Sequence, residues 1–383
     1  MGLTVGILKE VCHTAGQPVE RRVATVPRVV DALRKIGAEV LIETRTGESA
    51  GFLDSEYEAR GAKIIASAAD VLAAAQVILM VRVGYSPAFD SRHTLIGFCD
   101  PLGDPQIAQE LAAQGVRLYS MELVPRTTRA QSMDALSSMA SIAGYKAVLL
   151  AANTLPRLFP MMTTAAGTIT PARIFIIGAG VAGLQAIATA RRLGAVVSAY
   201  DVREAVKEQI ESLGAKFVSI SLGAKAEGQG GYAAALDDET IRKQREQMAA
   251  VFKDQDVVIT TAAVPGKKAP LLVTREMVYG MAPGSVIVDL AAERGGNCEL
   301  TRPGETVFDH GVQILGPVNV ASELPYHASQ MYARNLLEFL KLMVVKGEFL
   351  PDTDDSILSE SLVARGGAVV HPRVQQILKE VHA

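Results

Sequence analysis

Residues 173–201 read RIFIIGAGVAGLQAIATARRLGAVVSAYD, and this run decides the fold. Residues 173–177 are a continuous β-branched and aromatic run, the mark of a strand buried on both faces of a parallel sheet. Gly178-Ala179-Gly180-Val181-Ala182-Gly183 then supplies a GxGxxG turn. A helix of small and apolar residues follows over 184–193, and residues 195–200 return as a second strand that ends on Asp201. Each part has a physical task in holding a dinucleotide. Gly178 permits a tight turn, Gly180 lets the backbone approach a pyrophosphate, and Gly183 lets helix pack close to strand. The helix N-terminus presents unpaired N–H groups to the anion. Asp201, 23 residues beyond Gly178, can accept hydrogen bonds from an adenosine ribose. A lone GxGxxG is weak evidence, but strand, turn, helix, strand and terminal acid in one unit predict nucleotide binding. The alternative is an ordinary βαβ unit with a tight turn. Arg203, after Val202, could welcome a 2′-phosphate. The acid at the strand end would repel that phosphate, so NAD(H) is expected rather than NADP(H).

Working outward, a chain of 383 residues is long enough for two or three domains, each with its own core. It is 49% hydrophobic and 21% charged with a net charge of −3, which gives no basic patch to attract nucleic acid or an anionic membrane surface. Three cysteines (Cys12, Cys99, Cys298) show no CxxC spacing, which fits a reducing compartment and no zinc site. A short strand and then Lys9-Glu10 stand where a signal peptide would need a long apolar run. No stretch offers about 18 uninterrupted apolar residues. The nearest, residues 147–169, is broken by Pro156, Arg157 and Pro160, so a soluble protein is expected.

Before the glycine turn the chain alternates strand and helix. Strands are expected over 3–8, 39–43, 63–66, 76–82, 95–98 and 116–121, and helices from about 27 to Gly37 and over 57–60, 68–75 and 105–114. Residues 126–145 differ: polar groups from Arg126 to Asp134 precede a small-residue helix over 136–152 that Asp134 or Ser132 could cap. They read equally well as a site or as a polar interdomain loop. Residues 161–165 and 168–170 could pair as a hairpin whose apolar content suits packing against another subunit, or burial as an interdomain ribbon. After Asp201, a helix over 205–213 and a strand over 216–218 lead to a glycine-rich loop, residues 223–231, ending at Tyr232. It reads as a hinged lid or as a plain connection. A helix over 239–252 and strands over 256–261, 286–290 and 312–315 complete the second sheet. Thr261, Ala262 and Asp289 fall at strand C-termini, the edge where an open α/β sheet binds its ligand. A helical stripe over 331–345 returns to the first domain, followed by a polar tail. The expected architecture is α/β: two Rossmann-like, doubly wound parallel-sheet domains with a cleft between them. The first is discontinuous (1–135 plus 325–383) and the second (136–324) binds NAD(H).

The six histidines are scattered with no i,i+4 pair, so no metal site is expected. Hydride transfer from a nicotinamide needs neither metal nor nucleophile, only alignment and exclusion of water.

Three long runs carry a family resemblance: MELVPRTTRAQSMDALSSMASIAGYKAV (121–148), FPMMTTAAGTITPARIFIIGAGVAGLQAIATARRLGAVVSAYDVR (159–203) and MAPGSVIVDLAAERGGNCELT (281–301). With Lys9-Glu10 and ERRVATVP at 20–27, the chain resembles the NAD(H)-binding component of proton-translocating nicotinamide nucleotide transhydrogenase over nearly its whole length. That family is itself similar to alanine dehydrogenase, the alternative reading. Alanine dehydrogenases carry a catalytic histidine where this chain has Gly97-Phe98-Cys99-Asp100-Pro101, and a lysine where it has Arg82. The RxxRAQSxDxxSS motif of the transhydrogenases is intact. The resemblance implies that Arg126, Gln131, Asp134 and Ser137 hold the nicotinamide end, with Gln131 bridging two nucleotides during transfer. Gly178, Gly180, Val181, Ala182, Gly183, Asp201, Val202, Arg203, Tyr232, Thr261 and Ala262 are the expected cofactor-binding residues, Tyr232 on a loop closing over NAD(H). It also implies a homodimer that exchanges the 161–170 hairpin. Its implied partners are an NADP(H)-binding beta subunit and a membrane-spanning subunit. The chain itself would be peripheral on the cytoplasmic face, not inserted in the membrane. The implied reaction is direct hydride transfer from NADH to NADP+ on the partner, coupled to proton translocation.

Overall fold

The computed structural model describes residues 2–10, 19–220, 238–264, 266–345, 347–352 and 354–381. The expected loop over 223–231 and Tyr232 lie outside the described residues. The chain forms two compact units: Met1–Met139 with Ala321–Ala383, and Ala140–Val320.

In the first unit, β1 (Thr4–Ile7), β2 (Glu39–Glu43), β3 (Lys63–Ile65), β4 (Val77–Arg82), β5 (Thr94–Phe98) and β6 (Arg117–Ser120) form a parallel sheet. Its order, β3-β2-β1-β4-β5-β6, reverses direction between β1 and β4. The helices between strands are α1 (Pro27–Lys35), α2 (Asp54–Glu58), α3 (Ala68–Ala74) and α4 (Pro105–Ala113). The α2 segment starts three residues earlier than expected, because Glu56 accepts from the Leu53 N–H at 2.8 Å and fixes the first turn there. The polar tail is not featureless: strand Leu362–Arg365 pairs antiparallel with β6, and strand Ala368–Val369 pairs antiparallel with Leu362–Arg365 at the edge of the sheet. This sheet is thus mixed rather than wholly parallel.

α5 (Ala135–Thr154) begins where expected, with Asp134 as its cap: Oδ1 accepts from the Ser137 N–H at 2.8 Å and Oδ2 from the Ser137 hydroxyl at 2.6 Å. By length and composition α5, not residues 147–169, is the helix apolar enough to cross a membrane. In the structure Ala147, Val148 and Ala151 pack it into the core of the second unit.

In the second unit a hairpin of β7 (Met162–Thr164) and β8 (Gly167–Ile169) exposes every strand residue. The main sheet follows: β9 (Arg173–Ile177), β10 (Val196–Tyr200), β11 (Lys216–Phe217), β12 (Val257–Thr260), β13 (Val286–Asp289), β14 (Thr306–Asp309) and β15 (Val312–Leu315), in the order β11-β10-β9-β12-β13-β15-β14. Only β14, which alternates half-exposed and exposed on the edge, is antiparallel, and the sequence reading missed it. β9 is central and buried on both faces as expected. Ile174 and Ile176 join the core beneath α5 and α6 (Val181–Arg192), while Phe175 and Ile177 join Met248 and Phe252 on the other side. The helix expected over 205–213 is a 3-10 turn, Glu204–Val206, that continues into α7 (Lys207–Ser212).

The helix expected over 331–345 runs instead from Pro325 to Lys341, with proline at its first turn, in the first unit. It ends early because Val344–Val345 pairs with Glu348–Phe349 as a short ribbon.

Candidate functional site

The strand order of the second unit reverses between β9 and β12, and a crevice outside the C-terminal ends of those strands is where such sheets bind ligands. The glycine turn sits there. Gly178 has φ +95°, which a side chain would strain, and its N–H donates to the Tyr200 carbonyl at 2.8 Å. A Cβ at Gly183 would lie 1.8 Å from the Gly178 carbonyl oxygen, so only glycine lets α6 begin that close to β9. A Cβ at Gly180 would meet nothing within 4 Å. The main chain there faces open space at the start of a twelve-residue helix, whose first N–H groups lack intrahelical acceptors. This geometry suits the pyrophosphate of a dinucleotide.

The turn is braced from three sides. Thr261, just past β12, donates its hydroxyl to the Gly178 carbonyl at 3.0 Å. Asp201, at the end of β10, accepts from the Ala179 N–H at 2.7 Å. Gly144 of α5 supports α6 from behind: a Cβ there would lie 2.0 Å from the Ala182 carbonyl oxygen. Sequence reasoning missed Gly144, although a glycine inside a helical pattern is a recognised sign of close packing.

A second network holds the segment after β12. Asn297 accepts from the Ala262 N–H at 3.0 Å and donates to the carbonyls of Ala262 and Pro270 at 2.9 and 2.8 Å. Asp289, fully buried at the end of β13, accepts from the backbone N–H groups of Asn297, Cys298 and Ala291 and from the hydroxyls of Thr260 and Thr301. Asn297 was missed from the sequence; its signal was an amide at the end of a Gly-Gly turn. Burial pushes the neighbouring Cys298 thiol up to about 11, so it stays protonated and is no nucleophile.

Through these contacts the structure brings together Gly178, Gly180, Val181, Ala182, Gly183, Asp201 and Thr261, with Ala262 beside Thr261, Val202 beside Asp201, and Arg203 donating from Nε to Asp201 at 2.9 Å. In the first unit, Gln131 lies exposed on the 3-10 turn Thr128–Met133. That turn is pinned by Asn335, which donates to the Ser132 carbonyl at 2.8 Å, and by the paired Arg129 and Asp355 at 2.7 Å. Arg126 precedes it and is exposed. Asp134 and Ser137 are bonded to each other as the α5 cap.

At the C-terminal edge of the first sheet, Glu20 bridges two arginines: it accepts from buried Arg22 at 2.8 and 2.7 Å and from Arg82 at 3.3 Å. The Glu10 carboxylate, buried beside them, accepts from the N–H groups of Val81 and Arg82 at 2.6 and 3.1 Å. Burial pushes its carboxyl from 4.5 up to about 8. The folded state therefore holds a proton that the unfolded chain releases near 4.5, so stability is greatest below that value and falls as pH rises toward 8, by up to about 1.4 kcal/mol per pH unit. Glu10→Gln removes that proton exchange. Its denaturation midpoints between pH 5 and pH 8 should fall less steeply than those of the wild type, and parallel profiles would show Glu10 ionised in the folded protein.

Family models match both units: "Alanine dehydrogenase/PNT, N-terminal domain" over residues 6–143 and "Alanine dehydrogenase/PNT, C-terminal domain" over residues 147–372. The chain belongs to the alanine dehydrogenase/PNT family. Within it, the chain is 45% identical over 368 residues to the first of the chains that make up NAD(P) transhydrogenase subunit alpha in Rhodospirillum rubrum, covering 93% of this chain and 96% of that protein. Its fold is similar to the crystal structure of transhydrogenase from Sinorhizobium meliloti, with a TM-score of 0.83 and 44% identity over 96% of this chain and 99% of that one. An L-alanine dehydrogenase structure also matches, with a TM-score of 0.82 but 25% identity, over 99% of this chain and 100% of that one. Kinship with transhydrogenase alpha subunits gives the chain an oxidoreductase role as an NAD(P) transhydrogenase subunit with an NAD-binding, Rossmann-like domain.

Proposed function

We propose that this chain binds NAD(H) through its Gly178–Asp201 unit and takes part in direct hydride transfer from NADH to NADP+ held on a separate NADP(H)-binding subunit. Membrane-spanning partners couple that transfer to proton translocation. The observation that carries this reading is the bare main chain at Gly180, open beside the α6 N-terminus, with Asp201 fixed at the end of the neighbouring strand. When bound, the dinucleotide supplies the transferable hydride. The chain's own residues bind and orient. The α6 N-terminus and glycine turn hold the pyrophosphate, and Asp201 accepts from the adenosine ribose. Thr261 and Ala262, held by Gly178 and Asn297, border the crevice. Gln131 and Arg126 act at the nicotinamide end, Gln131 bridging the two nucleotides, while Asp134 and Ser137 fix the start of α5. Tyr232, outside the described residues, contributes to the same site on this reading. The exposed side chains of Met161, Met162 and Ile169 on and beside the β7–β8 hairpin support a homodimer, for which sedimentation of the isolated chain is the check. The chain works on the cytoplasmic face of the membrane, against its partners.

The alternative, an alanine-dehydrogenase-like oxidoreductase, needs a cation for the carboxylate of a keto acid. Here the charges of Arg22 and Arg82 already meet Glu20, and the segment Gly97–Pro101 holds no histidine. The test uses the whole chain. NADH should bind far more tightly than NADPH, with no turnover of pyruvate and ammonia, and adding the NADP(H)-binding subunit should start hydride exchange between nucleotides. Gln131→Ala should slow exchange more than it weakens NADH binding. Alanine-dependent reduction of NAD+ by the chain alone would sink the reading.

A further inference from the structure

The turn that carries Gln131 is a poor one to leave unsupported. Thr128–Met133 is a 3-10 helix of six residues, and the hydrogen bonds of such helices are weak enough that most stop after three or four. Ala130 and Met133 anchor it by burial, and Asn335 holds the Ser132 carbonyl, one residue after Gln131. On the other side of Gln131, Arg129 reaches across 226 residues of sequence to Asp355. Its Nη1 donates to Oδ2 and its Nη2 to Oδ1, both at 2.7 Å. Asp355 is itself fixed. Its Oδ1 accepts from the Ile357 N–H at 2.8 Å as the N-cap of the helix Ser356–Ser361, which buries Ile357, Leu358 and Ser361. The residues ahead of Asp355 are stapled to the first sheet. Tyr119 of β6 donates to the Pro351 carbonyl at 2.7 Å, and Arg117 and Arg365 donate to Asp352 at 2.7 and 2.9 Å.

We propose that Arg129 and Asp355 are positioning residues for hydride transfer: a two-pronged clamp through which the segment around Asp355 sets the place of Gln131. This rests on the reading of Gln131 as the residue at the nicotinamide end. Magnitudes decide what the clamp is for. The Arg129 side chain is 54% exposed, and an exposed ion pair adds little to the stability of a fold. Two parallel bonds from one guanidinium do fix direction, however. Transfer between two nucleotides depends on placement, and a shift of about 1 Å can cost about 100-fold in rate. The clamp therefore matters to the rate more than to the fold.

The test compares variants of the full chain, with hydride exchange measured after adding the NADP(H)-binding subunit and NADH binding measured by calorimetry. Asp355→Asn keeps an acceptor for the Ile357 N–H and places an amide nitrogen where Arg129 Nη1 needs Oδ2. Asp355→Asn and Arg129→Ala should each slow exchange about fivefold, the most that an exposed pair is worth, with NADH affinity within about twofold of the wild type. Arg129→Lys keeps the charge without the fork and should fall between. With Gln131→Ala already in place, Asp355→Asn should change the rate by less than about twofold, because the clamp acts through Gln131. An equal fall with or without Gln131 overturns the proposal. So does slowing by Arg129→Ala alone, which would mean that Arg129 acts on a nucleotide directly. Amide hydrogen exchange over residues 128–133, read on the chain without its partner, should quicken about fivefold in Asp355→Asn and Arg129→Ala. Unchanged amide exchange there overturns the clamp. The wild-type arm stands apart: no hydride exchange in the wild type removes the reading of Gln131, whereas the amides still judge the pair.

Discussion

Asp289→Ala should destabilise the protein by about 4 kcal/mol and strip it of NADH binding. The carboxylate is fully buried, and five donors converge on it at 2.7 to 3.0 Å. Each buried donor left without an acceptor costs about 1 to 3 kcal/mol, and relaxation of the loop recovers part of that sum. A loss above about 4 kcal/mol is exceptional for one residue and marks a broken buried network. Asparagine offers little rescue, because the backbone N–H groups of Asn297 and Cys298 and the Thr301 hydroxyl all donate to Oδ2, where an amide would present either hydrogens or a single oxygen at the expense of the other side. The functional loss follows from the same bonds. Freed from Asp289, Asn297 no longer holds both main-chain groups of Ala262 at the lip of the crevice. Denaturant unfolding and NADH titration check both halves, and a loss below about 1.5 kcal/mol would show that the network is dispensable.

Gly183→Ala should weaken NADH binding by at least about 100-fold, equivalent to about 2.7 kcal/mol, with helical content unchanged. The added Cβ would stand 1.8 Å from the Gly178 carbonyl oxygen, and main chain cannot step aside as a flexible side chain can. Either α6 or the turn must move. Gly180→Ala is the control that separates the fold from the ligand. Its Cβ meets no protein atom and its φ of −74° suits alanine, so stability should hold while NADH affinity drops by about tenfold. If the two variants bind NADH alike, the tight packing at Gly183 has no bearing on the site.

Both predictions depend on features that were unequally visible in the sequence. β9 and its turn were legible because a run of β-branched and aromatic residues ending in glycines has few other uses. The Asp134 cap was legible because a polar group directly before a helix has an obvious acceptor role. Edge elements were not. β14 and the tail strands are short and partly exposed, so neither apolar runs nor clean alternation announces them. The helix from Pro325 was misplaced because Met343 and Val344 continue its apolar spacing, although Met343 is buried beyond the helix end and Val344 pairs in a ribbon. In the site, sequence patterns supplied the glycine turn, Asp201 and Thr261, which the structure bonds together. They did not supply Gly144 or Asn297, whose tasks exist only once distant strands and helices are brought side by side.

The tight approaches at Gly144, Gly178 and Gly183 have a consequence for how information is stored in this crevice. The seat proposed for the two phosphates is main chain, with no side chain to tell one dinucleotide from another. It can supply strength of attachment but no choice. On the proposed reading, choice falls to the adenosine end, where the side chain of Asp201 lies at the end of β10. Affinity and selectivity are thus encoded in separate places, and each can be altered while the other is kept.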